Sequence, residues 1–173
     1  MENIKWLGHS TVKLLGDKII YIDPFEIKEN YKDADIIFIT HSHYDHFSEE
    51  DIKKCMKDIT KIVITEDLYD KSLNLGFTPK NITKVTPDNH YEVENIAFST
   101  VPAYNISKQF HPKANNWVGY IINTNNTLYY IAGDTDITEE AKQVKCDIAF
   151  LPVGRYIHNE PWGSSRPCQY NWA

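Results

Sequence analysis

Ala34-Asp35-Ile36-Ile37-Phe38-Ile39-Thr40-His41-Ser42-His43-Tyr44-Asp45-His46-Phe47 divides sharply in the middle. Apart from Asp35, its first six residues are apolar and mostly β-branched, the signature of a buried strand. Residues 41–46 then carry three imidazoles and one carboxylate. A strand that ends in a burst of His and Asp delivers ligands to a sheet edge, where sites are usually built. Neutral imidazole and carboxylate are natural ligands for zinc, manganese and iron. His41 and His43 are two apart, so in an extended segment they point the same way. Asp45 and His46 come as the chain turns toward the next helix and can face a second metal.

Working outward, short strands are expected at 3–7, 11–15 and 18–22, with Gly16-Asp17 as a hairpin turn between the last two. Ser48, followed three residues later by Asp51, predicts a helix start, with the helix running over 49–57. A buried strand at 61–65 and a short helix near 67–73 follow. Gly76, Pro79 and Pro87 mark a loop-rich middle. Further strands are expected at 91–93, 96–101, 118–123, 128–131 and 147–152, with a helix capped by Thr138 and reaching about 144. Strands come first and single helices later, which suits an α/β layered domain rather than a barrel of alternating strands and helices.

The chain has 173 residues, enough for one domain with a sizeable core. Its net charge of −6 and the lack of a Lys/Arg cluster argue against nucleic acid as a partner. No apolar run approaches the roughly 18 residues of a membrane span. The opening Met1-Glu2-Asn3-Ile4-Lys5-Trp6 has no signal-peptide pattern, and Cys55, Cys146 and Cys168 form no Cys-x-x-Cys pair. The expectation is a cytoplasmic protein with reduced thiols.

Four further residues recur where strands end. Asp23 follows Ile19-Ile20-Tyr21-Ile22, and Asp134 follows Tyr129-Tyr130-Ile131-Ala132-Gly133. His9 lies in Gly8-His9-Ser10-Thr11 and His111 in Phe110-His111-Pro112-Lys113. Taken singly, each has an ordinary reading as a turn former, a cap or a surface histidine.

Thr40-His41-Ser42-His43-Tyr44-Asp45-His46, with Asp23 before it and Gly133-Asp134-Thr135-Asp136 after it, resembles the metallo-β-lactamase-fold hydrolases. Trp6-Leu7-Gly8-His9-Ser10, Val101-Pro102-Ala103-Tyr104-Asn105 and Val118-Gly119-Tyr120-Ile121-Ile122 are similar to a small-hydrolase subgroup that includes L-ascorbate 6-phosphate lactonase. The phospholipase D acting on N-acyl-phosphatidylethanolamine has a comparable opening. The resemblance implies an αββα sandwich over residues 1–154. It implies that His41 and His43 bind a first metal, that Asp45 and His46 bind a second, and that Asp134 bridges the two. Asp23 then orients a ligand, and His9 lies near substrate or leaving group. The family's third histidine for the first metal is replaced by Tyr104-Asn105, and His111 is the nearby imidazole taken in its stead.

The implied cofactor is one or two zinc ions, with manganese or iron as alternatives. The implied reaction is attack of a metal-activated hydroxide on an ester, lactone, phosphodiester or amide, with Asp45 assisting the nucleophile. A non-catalytic metal-binding remnant and a di-iron redox protein of the same fold are the alternatives. Trp6, Tyr104, Phe110 and Trp117 are candidate pocket walls, and Lys108 and Lys113 candidate anion contacts.

Residues 155–173 depart from the family. Relatives continue after Leu-Pro-Val-Gly with Gly-Thr-Tyr-Thr-Met and a helix containing Glu-Ala-Ala. Arg155 to Glu160 can be encoded so that a one-base shift reads Gly-Thr-Tyr-Thr-Met, and Gly163 to Cys168 so that it reads Glu-Ala-Ala-Asp-Leu-Val. The expectation is therefore an out-of-frame tail after Gly154. His158, Trp162 and Cys168 are then not evolved site residues, and the sandwich lacks its C-terminal strands, helix and final metal-ligating histidine.

Overall fold

A computed structural model describes residues 3–153. The tail at 155–173, with its expected change of frame, lies outside the described residues. The described residues form two compact units, divided after Val85, each built around its own sheet.

The first unit has six strands in chain order: β1 (Ile4–Gly8), β2 (Thr11–Leu14), β3 (Ile20–Ile22), β4 (Ala34–Phe38), β5 (Met56–Thr65) and β6 (Ile82–Val85). The first three pair antiparallel, and β3 to β6 pair parallel. Parallel strands need crossovers, which here carry α1 (Glu49–Cys55) and α2 (Tyr69–Asn74). Tyr21, Ile37, Ile39, Ile62 and Ile64 pack with Ile52 and Cys55 of α1 and with Leu68, Leu75 and Phe77. Ile20, Ile22, Ile36 and Phe38 are fully buried too. Burial on alternate positions of both kinds explains why β4 reads as a continuous apolar run.

α1 begins as expected: Ser48 Oγ accepts from the Asp51 N–H, and Glu49, Glu50 and Asp51 suit the positive end of the helix. It stops at Cys55 rather than at 57, because Met56 already pairs with Ala34 and opens β5. The expected strand start at 18 is also corrected. The Ile19 N–H donates to the Asp35 carboxylate (2.8 Å) rather than to a strand, so β3 is counted from Ile20, although the Ile19 carbonyl already accepts from the Asp35 and Ile36 N–H groups. β6 lies where the sequence predicts loop; its Ile82-Thr83-Lys84-Val85 is too short to stand out, and pairing with Ile62–Thr65 makes it a strand.

Asp51 ties α1 to the preceding loop. Its carboxylate accepts from the backbone N–H groups of Glu26 and Ile27 (2.9 Å each), from the Ser48 hydroxyl (2.6 Å) and from Lys54 (3.0 Å). Burial alone would raise its pKa, but these donors outweigh it and hold the carboxyl below the ordinary 3.8. Cys55, on the same helix, is pushed up to about 12 by burial and then by Asp33 and Asp51, so it is an inert core thiol.

The second unit has five strands: β7 (His90–Val93), β8 (Ile96–Pro102), β9 (Val118–Thr124), β10 (Thr127–Ile131) and β11 (Ile148–Phe150). Sheet order is β11-β10-β9-β8-β7, antiparallel except for the β10–β11 pair. Two tight hairpins have both central residues left-handed, Glu94-Asn95 and Asn125-Asn126, as a type I′ turn requires. The expected helix over 138–144 is instead one 3-10 turn, Ala141–Gln143, with Thr138 Oγ1 accepting from the Ala141 N–H (3.1 Å). Val144 is already extended and packs on the small core of Val101, Tyr130, Ala132 and Ala149.

Two outcomes test this account. A Cβ at Gly119 would sit 2.6 Å from the Ile131 carbonyl oxygen and 2.8 Å from that of Ala132, both backbone. Gly119→Ala should therefore lower stability by about 1–3 kcal/mol, read as a fall in the urea midpoint with the slope unchanged. Asp51→Asn should cost about 2 kcal/mol at neutral pH, the scale of hydrogen bonds to a charged group. A depressed carboxyl contributes stability above its ordinary value and loses it as pH falls through the lowered one. The gap between wild type and Asp51→Asn should thus be full at pH 7 and close as pH drops below 3.8; a gap constant with pH would contradict it.

Candidate metal centre

In the first unit the site grows from the ends of β3 and β4. The Asp23 N–H donates to the Phe38 carbonyl (3.0 Å), holding the two strand ends together. Asp23 is left-handed at φ +43, a conformation that Asp adopts more readily than most residues. The buried Thr11 hydroxyl secures this turn, donating to the Asp23 carbonyl (2.9 Å) and accepting from the Phe25 N–H (2.8 Å).

The Asp23 carboxylate, 1% exposed, has its acceptors filled from the histidine run. Thr40 donates twice, from its N–H to Oδ1 (2.8 Å) and from its hydroxyl to Oδ2 (2.6 Å). His46 Nδ1 donates to Oδ2 (2.8 Å). The Thr40 hydroxyl has one proton, given to Asp23, so it accepts from His41 Nδ1 at 2.9 Å. This network assigns the proton to Nδ1 in both rings and leaves Nε2 as the nitrogen of each that could ligate a cation. The run is not extended beyond His41. The N–H groups of His46 and Phe47 both donate to the His43 carbonyl (3.1 and 2.8 Å). The turn gathers the rings: His41 lies 4.8 Å from His43 and 4.0 Å from His46, centroid to centroid.

Asp45 and His9 complete this side. His46 Nε2 is 4.0 Å from Asp45 Oδ2, and His9 Nε2 is 3.6 Å from the same oxygen. Trp6 is exposed and its indole N–H donates to the His9 carbonyl (2.9 Å), which makes it a brace for the β1–β2 turn rather than a pocket wall.

In the second unit the loop after β8 explains how His111 follows Tyr104-Asn105 by so many residues. The Asn105 N–H donates to the His111 carbonyl (2.8 Å) and Asn105 Nδ2 to that of Phe110 (2.9 Å). The loop closes on itself and returns His111 to the end of β8. His111 is buried, left-handed at φ +59, and set edge-on to the buried Trp117 ring, 5.0 Å away. Its Nε2 lies 3.7 Å from Asp134 Oδ2.

The loop is clamped to the segment after Asp134. Thr135 and Tyr104 exchange hydrogen bonds, and Asp136 accepts from the Ile106 N–H (2.9 Å) and from Lys108 (3.0 Å). Lys113 donates to Glu140 (2.7 Å) over the Tyr104 ring, and the Tyr104 hydroxyl donates to the same carboxylate (2.9 Å). Lys113, then the backbone, hold the Glu140 carboxyl at about 2. Lys108 and Lys113 are therefore engaged by carboxylates, while Phe110 projects into solvent. Thr11, Thr40, Thr135 and Asp136 are the working residues that ligand chemistry alone did not single out; small polar residues beside strand ends were the available signal.

The donor set fits a divalent cation. Two imidazoles are pinned through Nδ1, with a third imidazole and a carboxylate beside them. A Beta-lactamase superfamily domain model matches residues 3–166. The chain is 30% identical to a UPF0173 metal-dependent hydrolase of Saccharolobus solfataricus, over 95% of this chain and 77% of the relative. It is 29% identical to one of Thermococcus onnurineus, over 93% and 76%. A crystal structure of a protein from Parabacteroides distasonis, assigned as a metal-dependent hydrolase, superposes with a TM-score of 0.77. That protein is 31% identical, covering 90% of this chain and 71% of its own.

Thr40→Val keeps the shape and removes the hydroxyl shared by Asp23 and His41. If His41 holds a divalent cation, the variant should bind a zinc probe about 10- to 100-fold more weakly, as loss of a group supporting a ligand does, measured by competition with a chromophoric chelator. Unchanged affinity in a folded variant would show that the hydroxyl does not set the His41 ring.

Proposed function

The chain belongs to the β-lactamase superfamily, and on that premise we propose that it is a hydrolase of a small-molecule ester, lactone, phosphodiester or amide. The observation that carries this is the pair of imidazoles, His41 and His46, whose Nδ1 atoms are tied down through Thr40 and Asp23. Such anchoring fixes tautomer and ring orientation, which a ligand needs and a surface histidine does not.

In this reading His41 and His43 serve one cation and Asp45 and His46 a second. The family resemblance adds His111 and Asp134 as further donors; within the second unit these two stand as a pair 3.7 Å apart. Zinc suits these nitrogen and carboxylate donors best, with manganese and iron as alternative occupants. A divalent cation bound there brings the pKa of water to about 7 and polarises the scissile carbonyl or phosphoryl group.

The chain's own residues do the rest. Asp23 and Thr40 hold two rings against reorientation, so the donors are ordered before substrate arrives. Asp45, partly exposed, has a carboxylate oxygen to accept a hydrogen bond from the attacking water and aim it. No helix among the described residues is long and apolar enough to cross a membrane.

The test is a substrate panel, comprising a p-nitrophenyl ester, a γ-lactone, bis-p-nitrophenyl phosphate and an anilide, run after loading with zinc, manganese or iron. At least one substrate should turn over, EDTA should stop it, and His43→Ala should reduce the rate by about 100-fold or more. His111→Ala and Asp134→Ala should each lower the metal bound per chain. Turnover that survives His43→Ala, or none with any of the metals, sinks the proposal.

A further inference from the structure

We infer that His9 is itself a metal ligand, forming with Asp45 and His46 a three-donor site for a divalent cation wholly within the first unit. The inference rests on the metal-dependent reading above and moves His9 from the substrate side of the site to the cation. The three side chains each offer one ligand atom, and these atoms lie within 4.8 Å of one another.

The spacing is the first argument. His9 Nε2 to Asp45 Oδ2 is 3.6 Å, and His46 Nε2 to Asp45 Oδ2 is 4.0 Å. Both exceed hydrogen-bond reach, so neither pair is held by a shared proton. Tetrahedral bonds of 2.0–2.1 Å place neighbouring ligand atoms about 3.3 Å apart. The three donors stand wider than that, at 3.6 and 4.0 Å for the two pairs with Asp45 and no more than 4.8 Å for any pair, so closing on a cation needs side-chain rotation.

The backbone supplies the second argument. β1 pairs with β2 through a register shift between Trp6 and Gly8, a bulge of the kind that re-aims a side chain. Gly8 follows at φ +119, which needs glycine, and His9 at φ +48. Gly8 accepts its φ without steric cost, but a left-handed histidine is uncommon, and the two residues set the path of the turn. They are fixed by the Trp6 indole, which donates to the His9 carbonyl, and by the Phe25 ring, edge-on to the His9 imidazole at 5.2 Å. Together these turn His9 toward Asp45. On the opposite side Asp23 fixes His46 through Nδ1 and leaves Nε2 for the cation. His9 is 40% exposed, so solvent and a cation reach the site from that side.

Cobalt(II) is the probe: titrate metal-free protein, follow the visible d–d bands, and count bound metal by equilibrium dialysis with elemental analysis. Wild type should bind two ions per chain. His9→Asn retains a residue that accepts left-handed φ, and should keep one ion while binding the other at least about tenfold more weakly. In the cobalt-loaded wild type, the His9 ring protons should show large paramagnetic NMR shifts, a readout that holds even if the variant fails to fold. If His9→Asn binds both ions as tightly as wild type, or the His9 resonances stay unshifted in protein carrying two, His9 is not a ligand and the metal-dependent reading stands without it. If wild type binds no cobalt, both readings fall together.

Discussion

A single buried carboxylate organises the first unit's site. Asp23 is 1% exposed, and an ionised group so placed costs several kcal/mol unless its oxygens are filled by good donors. Two of those donors come from Thr40 and one from His46, 17 and 23 residues further along the chain. The need to satisfy one charge therefore brings the end of β3 against the end of β4 and folds the histidine run back on itself. The same bonds select which nitrogen of His41 and of His46 carries the proton. Fold and ligand chemistry are thus set by one requirement, and neither can be changed without the other.

The second unit solves a similar problem with smaller pieces. A loop carrying His111 must return to the strand it left, and Asn105 closes it by meeting the backbone of Phe110 and His111. Asp136 and Glu140 then fasten that loop through Lys108, Lys113 and Tyr104. These lysines show why charge type is a weak guide to ligands: each is engaged by a carboxylate of its own unit.

Hydrolytic chemistry with a bound cation asks for donors that do not move when the charge on the reacting group changes. Nδ1 anchoring gives that rigidity to His41 and His46, while His43, Asp45 and His9 are more exposed. Anchored ligands beside accessible groups suit a centre that must both hold an ion and admit a substrate.

Local pattern and residue type were enough to show the β4 strand, the Ser48 cap, the hydrophobic runs of β8 to β10, and the choice of imidazole and carboxylate as donors. Those features depend on side chains a few residues apart, and periodicity records them directly. What the sequence left open depended on distant partners. β3 is counted from Ile20 because Asp35 takes the Ile19 N–H, and β6 is a strand because β5 lies beside it. The helix expected after Thr138 is a single turn because the chain is already extended at Val144. The left-handed backbone at His9, Asp23 and His111, and the tautomers of His41 and His46, are likewise tertiary decisions. Each is an unfavourable or evenly balanced local choice, settled only when a hydrogen bond or packed ring from elsewhere in its unit makes one outcome lower in free energy.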